Sequence, residues 1–194
     1  MRKGINTRAI HTENGVEISS NDAMPPLHLT TTFTRKTPDM GGDVVYSRIG
    51  NPTRRHFENT IASLEGVEDY EAQHGLAVST GMSATDLVMH LMVPGERIVI
   101  TDSVYGGTVN YFTGIAPKNN INYTFVDFTD LDKLDEALSE KTKIVWLETP
   151  SNPLLNVINI KEVSSIVHKK GALLVCDNSF STPFITRPLE HGAD

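Results

Sequence analysis

Short β-rich runs alternate with helical patterns along most of this chain, and this alternation limits the possible fold more than any other feature. The predicted strands lie at 75–79, 97–101, 122–126, 143–147 and 172–176, and the predicted helices at 52–65, 81–92, 105–116, 130–138 and 160–169. Such alternation indicates βαβ units with parallel strands. We therefore predict an α/β fold, with a mostly parallel sheet and helices on both faces.

The start of the chain lacks this alternation. Residues 1–42 show no sustained periodicity, and Pro25 and Pro26 disfavour a helix around them. We interpret 1–42 as an extended N-terminal arm of the kind that often wraps a partner subunit, although a disordered tail fits the composition equally well. Asn51 and Pro52 then match the N-cap and first position of a helix.

Composition restricts the partners and the compartment. The 194 residues carry a formal net charge of -7, so the basic surplus typical of nucleic-acid binding is missing. No apolar run approaches the roughly 20 residues that span a membrane, and the start has no secretory pattern. Cys176 is the only cysteine. We therefore expect no nucleic-acid or membrane partner, and a reducing compartment, with the cytoplasm as the default location.

The turn around Gly81 is a candidate phosphate site. It joins an apolar run to a helix, Gly81 lets the backbone approach a ligand closely, and the N–H groups of a first helical turn attract anions. An ordinary βα turn is the alternative. Neither a Walker loop nor a Gly-x-Gly-x-x-Gly fingerprint is present, which argues against kinases and dehydrogenases.

Asp177 ends the apolar strand 172–176, and in an open parallel sheet that end lies on the same rim as the Gly81 turn. A carboxylate there could hold a pyridine nitrogen protonated, and a metal ligand is the alternative. The seven histidines show no ligand-type spacing, so we predict no metal. A site for an anion and a site for a cation on the same rim favour pyridoxal phosphate as the ligand. This cofactor carries a phosphate at one end and a protonated ring nitrogen at the other.

Three further signals are weak when each is taken alone. Tyr105, followed by two glycines, could stack on a flat ring or pack over the sheet edge. Arg48 could clamp a phosphate or remain solvated. Asn152 could offer its amide to a ring substituent or belong to an ordinary turn.

In their order along the chain, these signals resemble the Cys/Met-metabolism family of pyridoxal-phosphate enzymes, which includes cystathionine γ-synthase, cystathionine γ-lyase, cystathionine β-lyase and methionine γ-lyase. The matching stretches are Tyr46–Arg54, Ser79–Ala84, Val104–Thr108, Glu148–Pro153 and Val175–Phe180. The resemblance covers almost the whole chain. It implies fold type I of the pyridoxal-phosphate-dependent transferases, and pyridoxal 5'-phosphate as the cofactor.

The resemblance also implies roles for residues at the two ends of the cofactor. Gly81, Met82 and Ser83 would hold its phosphate, and Asp177 would pair with its ring nitrogen. Ser179 would belong to the same cofactor site, at a position where many relatives have threonine.

Four more residues gain implied roles. Tyr105, the catalytic residue expected within this chain, would stack on the pyridine ring, and Asn152 would face the phenolic oxygen. Tyr46 and Arg48 would reach the phosphate of a neighbouring subunit, so that a homodimer or homotetramer shares its active sites. Gly107 stands where methionine γ-lyases typically carry cysteine, which argues against that activity.

One expected element has no counterpart. The family's cofactor-binding lysine lies in a Ser-x-Thr-Lys segment that should follow Gly192-Ala193-Asp194, and no such segment occurs. The C-terminal domain, which usually supplies an arginine for the substrate carboxylate, has no counterpart either. We expect 43–194 to be the first part of the cofactor-binding large domain, and the chain to be a truncated or split form that is inactive alone.

For the intact protein the resemblance implies γ-elimination or γ-replacement on cystathionine or related sulfur amino acids. Val104–Thr108 with Tyr111-Phe112 favours cystathionine γ-lyase, whereas Ser151–Leu155 is closer to γ-synthase or β-lyase. A non-catalytic half that keeps only the phosphate site is a second hypothesis. A generic nucleotide-binding α/β domain is a third.

Overall fold

The computed structural model of the protein describes residues 4–11, 24–34, 44–68 and 74–194. The chain divides into two compact units, Met1–Ala77 and Val78–Asp194. The predicted boundary between an N-terminal arm at 1–42 and a large domain from residue 43 stays a prediction.

In its described residues, the first unit contains two helices, α1 (Ile5–Ile10) and α2 (Pro52–Leu64). The predicted N-cap is confirmed, because the Asn51 side chain accepts a hydrogen bond from the N–H of Thr53. Helix α1 lies within the predicted arm, where its buried Arg8 donates to the main-chain oxygen of Ser63. The sequence did not predict α1, because a helix of six residues is too short to show a recognisable periodicity. Residues 1–3, 12–23 and 35–42 of the arm lie outside the described part.

The second unit alternates helices and strands as predicted. Its elements are α3 (Gly81–Met89), β1 (Arg97–Thr101), α4 (Gly106–Ile115), β2 (Asn122–Val126), α5 (Leu131–Ala137), β3 (Thr142–Glu148), α6 (Ile160–Lys169), β4 (Leu173–Asp177) and α7 (Thr182–Ile185). Short 3₁₀ helices occupy Pro117–Asn119 and Pro188–His191. Within the described ranges, no helix has the length and apolar character needed to cross a membrane.

The four strands form one parallel sheet in the order β2-β1-β3-β4. Side chains of a strand alternate between its two faces. Ile98, Ile144 and Trp146 therefore face one cluster, which includes Phe112 of α4, and the intervening Val99 faces the other. Helices α3 and α4 contribute to the first cluster, and α5 and α6 to the second. The prediction of a parallel sheet with helices on both faces is confirmed.

The predicted strand at 75–79 is wrong, because 74–80 contains no strand. The N–H of Ala77 donates instead to the Glu58 carboxylate, at 2.8 Å. Gly75 also lies so close to the Glu58 main chain that a β-carbon would be 2.4 Å from its oxygen. A strand forms when its main chain hydrogen-bonds to the main chain of another strand, whereas Ala77 bonds to a side chain.

The packing predicts a large difference between two leucines. Leu174 is fully buried in β4 and Leu154 is 68% exposed. Leu174→Ala should lower the free energy of unfolding by about 2–5 kcal/mol, because the lost side chain leaves a cavity. Leu154→Ala is the matched control and should change it little. Urea unfolding measures both, and equal losses would contradict this packing.

Candidate functional site

A cleft with a volume of about 390 Å³ opens at the carboxyl ends of β3 and β4. Glu148 and Asp177 end these strands and are register partners. Their side chains share the sheet face covered by α3 and α4, since they alternate in step with Trp146 and Val175. The cleft is lined by Thr80, Gly81, Met82, Thr85, Tyr105, Thr108, Glu148, Pro150, Asn152, Asp177, Ser179 and Phe180.

The amino end of α3 forms one part of the cleft. Thr80 is its N-cap, and the Thr80 hydroxyl oxygen accepts the N–H of Ser83 at 3.1 Å. The N–H groups of Gly81 and Met82 have no acceptor within the described part of the chain. A β-carbon added at Gly81 would meet no atom within 4 Å, so there is space beside the main chain. Free N–H groups at the positive end of a helix dipole suit an anion.

Ser83 differs from its predicted partners in the phosphate subsite. Its N–H is already bonded to the N-cap, its hydroxyl lies 2.9 Å from the Thr80 hydroxyl, and it is not among the lining residues. A contact from Ser83 to a phosphate stays a prediction.

Asp177 supplies a negative charge to the same cleft. Its Oδ1 accepts hydrogen bonds from the N–H of Ser179 at 3.0 Å and from the Ser179 hydroxyl at 2.6 Å. These two bonds orient the carboxylate. Its Oδ2 accepts no hydrogen bond from any described residue, and can therefore accept one from a ligand N–H.

Tyr105 provides the aromatic surface of the cleft. It immediately precedes α4, and its side chain is 51% exposed. A β-carbon on Gly107 would lie 2.3 Å from Cε1 of the Tyr105 ring and 3.1 Å from Sδ of Met82. The ring can occupy this position because residue 107 is glycine. The exposed ring is free to stack on a flat ligand.

Glu148 is the main residue of the cleft that the sequence did not single out. It is 6% exposed, and its Oε2 and Oε1 accept the main-chain N–H groups of Tyr105 at 2.9 Å and Asn152 at 2.8 Å. Burial raises the pKa of the Glu148 carboxyl, the two N–H bonds lower it in part, and Asp177 raises it again. The sequence did contain a signal for Glu148, because it is a carboxylate at the end of an apolar strand, as Asp177 is.

Asn152 reaches the cleft from the loop after β3. Its main-chain N–H is held by Glu148, and its side-chain amide makes no hydrogen bond to any described residue. That amide is available to a ligand oxygen.

Tyr46 and Arg48 belong to the first unit, whereas every lining residue of the cleft belongs to the second. The Arg48 guanidinium lies 5.0 Å from the centroid of the Tyr46 ring, at cation–π distance. Their reach to the phosphate of a neighbouring subunit stays a prediction.

The fold and cleft define a class of α/β protein whose cleft can accommodate a flat ligand carrying both an anionic and a protonated group. In the described ranges, no group of three histidine, cysteine or carboxylate side chains could hold a metal ion. The model of the family described as Cys/Met metabolism PLP-dependent enzyme matches residues 6–194, and the chain belongs to this family. Its cofactor is pyridoxal phosphate.

Similar proteins agree with this assignment. Cystathionine gamma-lyase of Dictyostelium discoideum is 40% identical over 191 residues, which cover 98% of this chain and 48% of the relative. Cystathionine beta-lyase of Coxiella burnetii is 38% identical with the same coverage. The crystal structure of metB from Corynebacterium glutamicum matches with a TM-score of 0.91 and 33% identity, covering 98% of this chain and 49% of that one. The chain thus spans about half the length of these relatives.

The cleft residues fit the cofactor. The free N–H groups of Gly81 and Met82 suit the phosphate, and the free Oδ2 of Asp177 suits a protonated ring nitrogen. The volume of about 390 Å³ lies within the ordinary range for small-ligand sites.

The contact between Gly107 and Tyr105 predicts a specific effect of one methyl group. Gly107→Ala should displace the Tyr105 ring, because the new β-carbon would overlap Cε1. NMR spectra of tyrosine-labelled protein should then show shifted Tyr105 ring resonances. Gly106→Ala is the matched control, since its β-carbon would meet nothing within 4 Å. Unchanged ring resonances in Gly107→Ala would contradict the contact.

The raised pKa of Glu148 predicts the sign of a pH effect. An acid with a folded pKa above its unfolded value contributes stability that is present below the unfolded pKa and is lost as pH rises through the folded pKa. Glu148→Gln should abolish this loss, measured as the change in unfolding free energy from about pH 4 to pH 8.

Asp127→Asn is the control for this pH effect. The Thr129 hydroxyl and N–H lower the pKa of Asp127, so its contribution is lost as pH falls. The decline above the unfolded Glu pKa should persist in that variant. The same decline in Glu148→Gln would contradict the assignment to Glu148.

Proposed function

We propose that the intact protein is a pyridoxal-phosphate-dependent transsulfuration enzyme, which carries out γ-elimination or γ-replacement on cystathionine or a related sulfur amino acid. The carrying observation is one cleft lined by the free N–H groups of Gly81 and Met82 and by the free Oδ2 of Asp177. Two subsites of opposite charge suit this cofactor better than they suit a plain phosphate.

The residues of this chain would bind and orient the cofactor. When bound, pyridoxal phosphate supplies an electron sink for charge that develops at the α-carbon of an amino acid. The N–H groups of Gly81 and Met82 would hold the phosphate at the amino end of α3. Oδ2 of Asp177 would accept the ring N–H and keep the proton there, while Ser179 holds the other carboxylate oxygen.

Two more side chains would fix the ring. Tyr105 would cover one face and exclude water from it, in the position that Gly107 makes possible. The Asn152 amide would donate to the phenolic oxygen, because Asn152 lines the cleft and its amide has no partner in the described part. Both contacts orient the ring without carrying a proton.

Cystathionine γ-lyase is the favoured activity, and γ-synthase or β-lyase is the alternative. The 40% identity to the Dictyostelium discoideum γ-lyase supports the first, but the 38% identity to the Coxiella burnetii β-lyase is nearly equal. Gly107 argues against methionine γ-lyase. Comparing the rates of cysteine and homocysteine release from cystathionine by the intact protein distinguishes γ- from β-cleavage.

The assembly we propose is a homodimer or homotetramer in the cytoplasm, in which Tyr46 and Arg48 complete the phosphate site of a neighbouring subunit. The exposed position of Arg48 supports this role, and Cys176 as the only cysteine supports a reducing compartment. Ser83 would join the phosphate site if its N-cap bond opens.

A non-catalytic chain that keeps only the phosphate site is the second candidate function. Such a chain would bind the cofactor without a covalent bond. Incubation with pyridoxal phosphate and borohydride should then leave the intact mass unchanged. A reducible adduct at one specific lysine would contradict this candidate.

The proposed function predicts tight binding of 4'-deoxypyridoxine 5'-phosphate, an analogue that has no aldehyde. Asp177→Asn should weaken its binding about tenfold or more, because a hydrogen bond to a charged group contributes about 1.5–3 kcal/mol. Isothermal titration calorimetry measures the dissociation constants.

The matched control is Asp127→Asn. Asp127 follows β2 and accepts bonds from the N–H and hydroxyl of Thr129, as Asp177 does from Ser179, but it lies outside this cleft. Binding should be unchanged in that variant. If a nucleotide protects the protein against thermal unfolding and the analogue does not, the chain is a nucleotide-binding domain and the proposal is refuted.

A further inference from the structure

Glu148 connects two separate loops of the cleft through one buried carboxylate. Its Oε2 accepts the N–H of Tyr105, which lies 43 residues earlier, and its Oε1 accepts the N–H of Asn152, four residues later. Both bonds have ordinary N–H···O lengths, 2.9 and 2.8 Å. The main chains of two expected ring contacts are therefore fixed by the same side chain.

Only a carboxylate can make this connection. It offers two acceptor oxygens and no donor, whereas a glutamine side chain would turn an N–H₂ group toward one of the two N–H groups. Burial disfavours the ionised form of Glu148, but the start of a helix nearby favours it. Tyr105 is the N-cap residue of α4 and makes no side-chain capping bond, so the charge of Glu148 lies beside the positive end of that helix.

The two bonds from Glu148 hold the main chain at Tyr105 and Asn152, and the main chain determines the direction of each side chain. The Tyr105 ring rests against Gly107 with no hydrogen bond of its own to the described residues, and the Asn152 amide also has none. Neither side chain is oriented by its own polar contacts. Their placement in the cleft depends on how firmly the main chain is held.

We propose that Glu148 is a positioning residue, which sets the Tyr105 ring and the Asn152 amide at a fixed separation and thereby determines how tightly the cofactor ring is held. The proposal rests on the proposed function, because it assumes that both side chains contact that ring. Glu148 would act through its neighbours, since each of its two oxygens already accepts a main-chain N–H.

The test compares Glu148→Gln and Glu148→Ala in the full chain. Glu148→Gln keeps the shape of the side chain and loses one main-chain bond, and Glu148→Ala loses both. The amide proton resonance of Tyr105 or Asn152 should move in the first variant, and both should move in the second. The dissociation constant of 4'-deoxypyridoxine 5'-phosphate should rise about tenfold in Glu148→Gln, because binding must then order side chains that Glu148 no longer holds in place.

The matched control is Glu96→Gln. Glu96 precedes β1, at the opposite end of the sheet, and its Oε2 accepts the N–H of Val93 at 2.7 Å. This variant removes the same kind of bond away from the cleft. The amide resonances of Tyr105 and Asn152, and the dissociation constant, should stay unchanged.

The outcomes separate this proposal from the proposed function. If the unchanged protein binds the analogue and Glu148→Gln binds it equally well, positioning by Glu148 is refuted and the cofactor site stands. If the unchanged protein fails to bind the analogue, the proposed function is refuted and this proposal with it. If resonances move throughout the second unit, Glu148 supports the fold in general, which also refutes a specific positioning role.

Discussion

The parallel register of β3 and β4 is the constraint on which the cleft depends. It pairs Glu148 with Asp177, so that two carboxylates end neighbouring strands on the same sheet face. Each is then stabilised differently: Glu148 by main-chain N–H groups in a buried position, and Asp177 by Ser179 in a more open one. One carboxylate can therefore organise the protein while the other keeps an oxygen free for a ligand.

Much of the second unit could be predicted because its elements carry their own signals. The strand Arg97–Thr101 and the helix Ile160–Lys169 have the predicted bounds. The predicted strand at 75–79 failed for a different reason. Its short apolar run suggested a strand, but strand formation requires a partner edge, which is a property of the whole fold.

The site residues also divide into those with a local sequence signal and those whose role depends on the whole fold. Six predicted residues line the cleft, because strand ends and helix starts are visible in the sequence: Gly81, Met82, Tyr105, Asn152, Asp177 and Ser179. Ser83 illustrates the limit, since the sequence does not reveal that Thr80 already occupies its N–H. The double role of Glu148 depends on two loops that meet only in the folded chain.

The neighbouring positions of Glu148 and Asp177 have a consequence for competition among cellular phosphates. The amino end of α3 alone would attract any phosphorylated metabolite. Negative charge on the carboxylates at the ends of the neighbouring strands β3 and β4 would repel the other anionic groups of a molecule such as a nucleoside triphosphate. If the cleft holds the cofactor as proposed, it would therefore favour a ligand with charges of both signs over one that is anionic throughout.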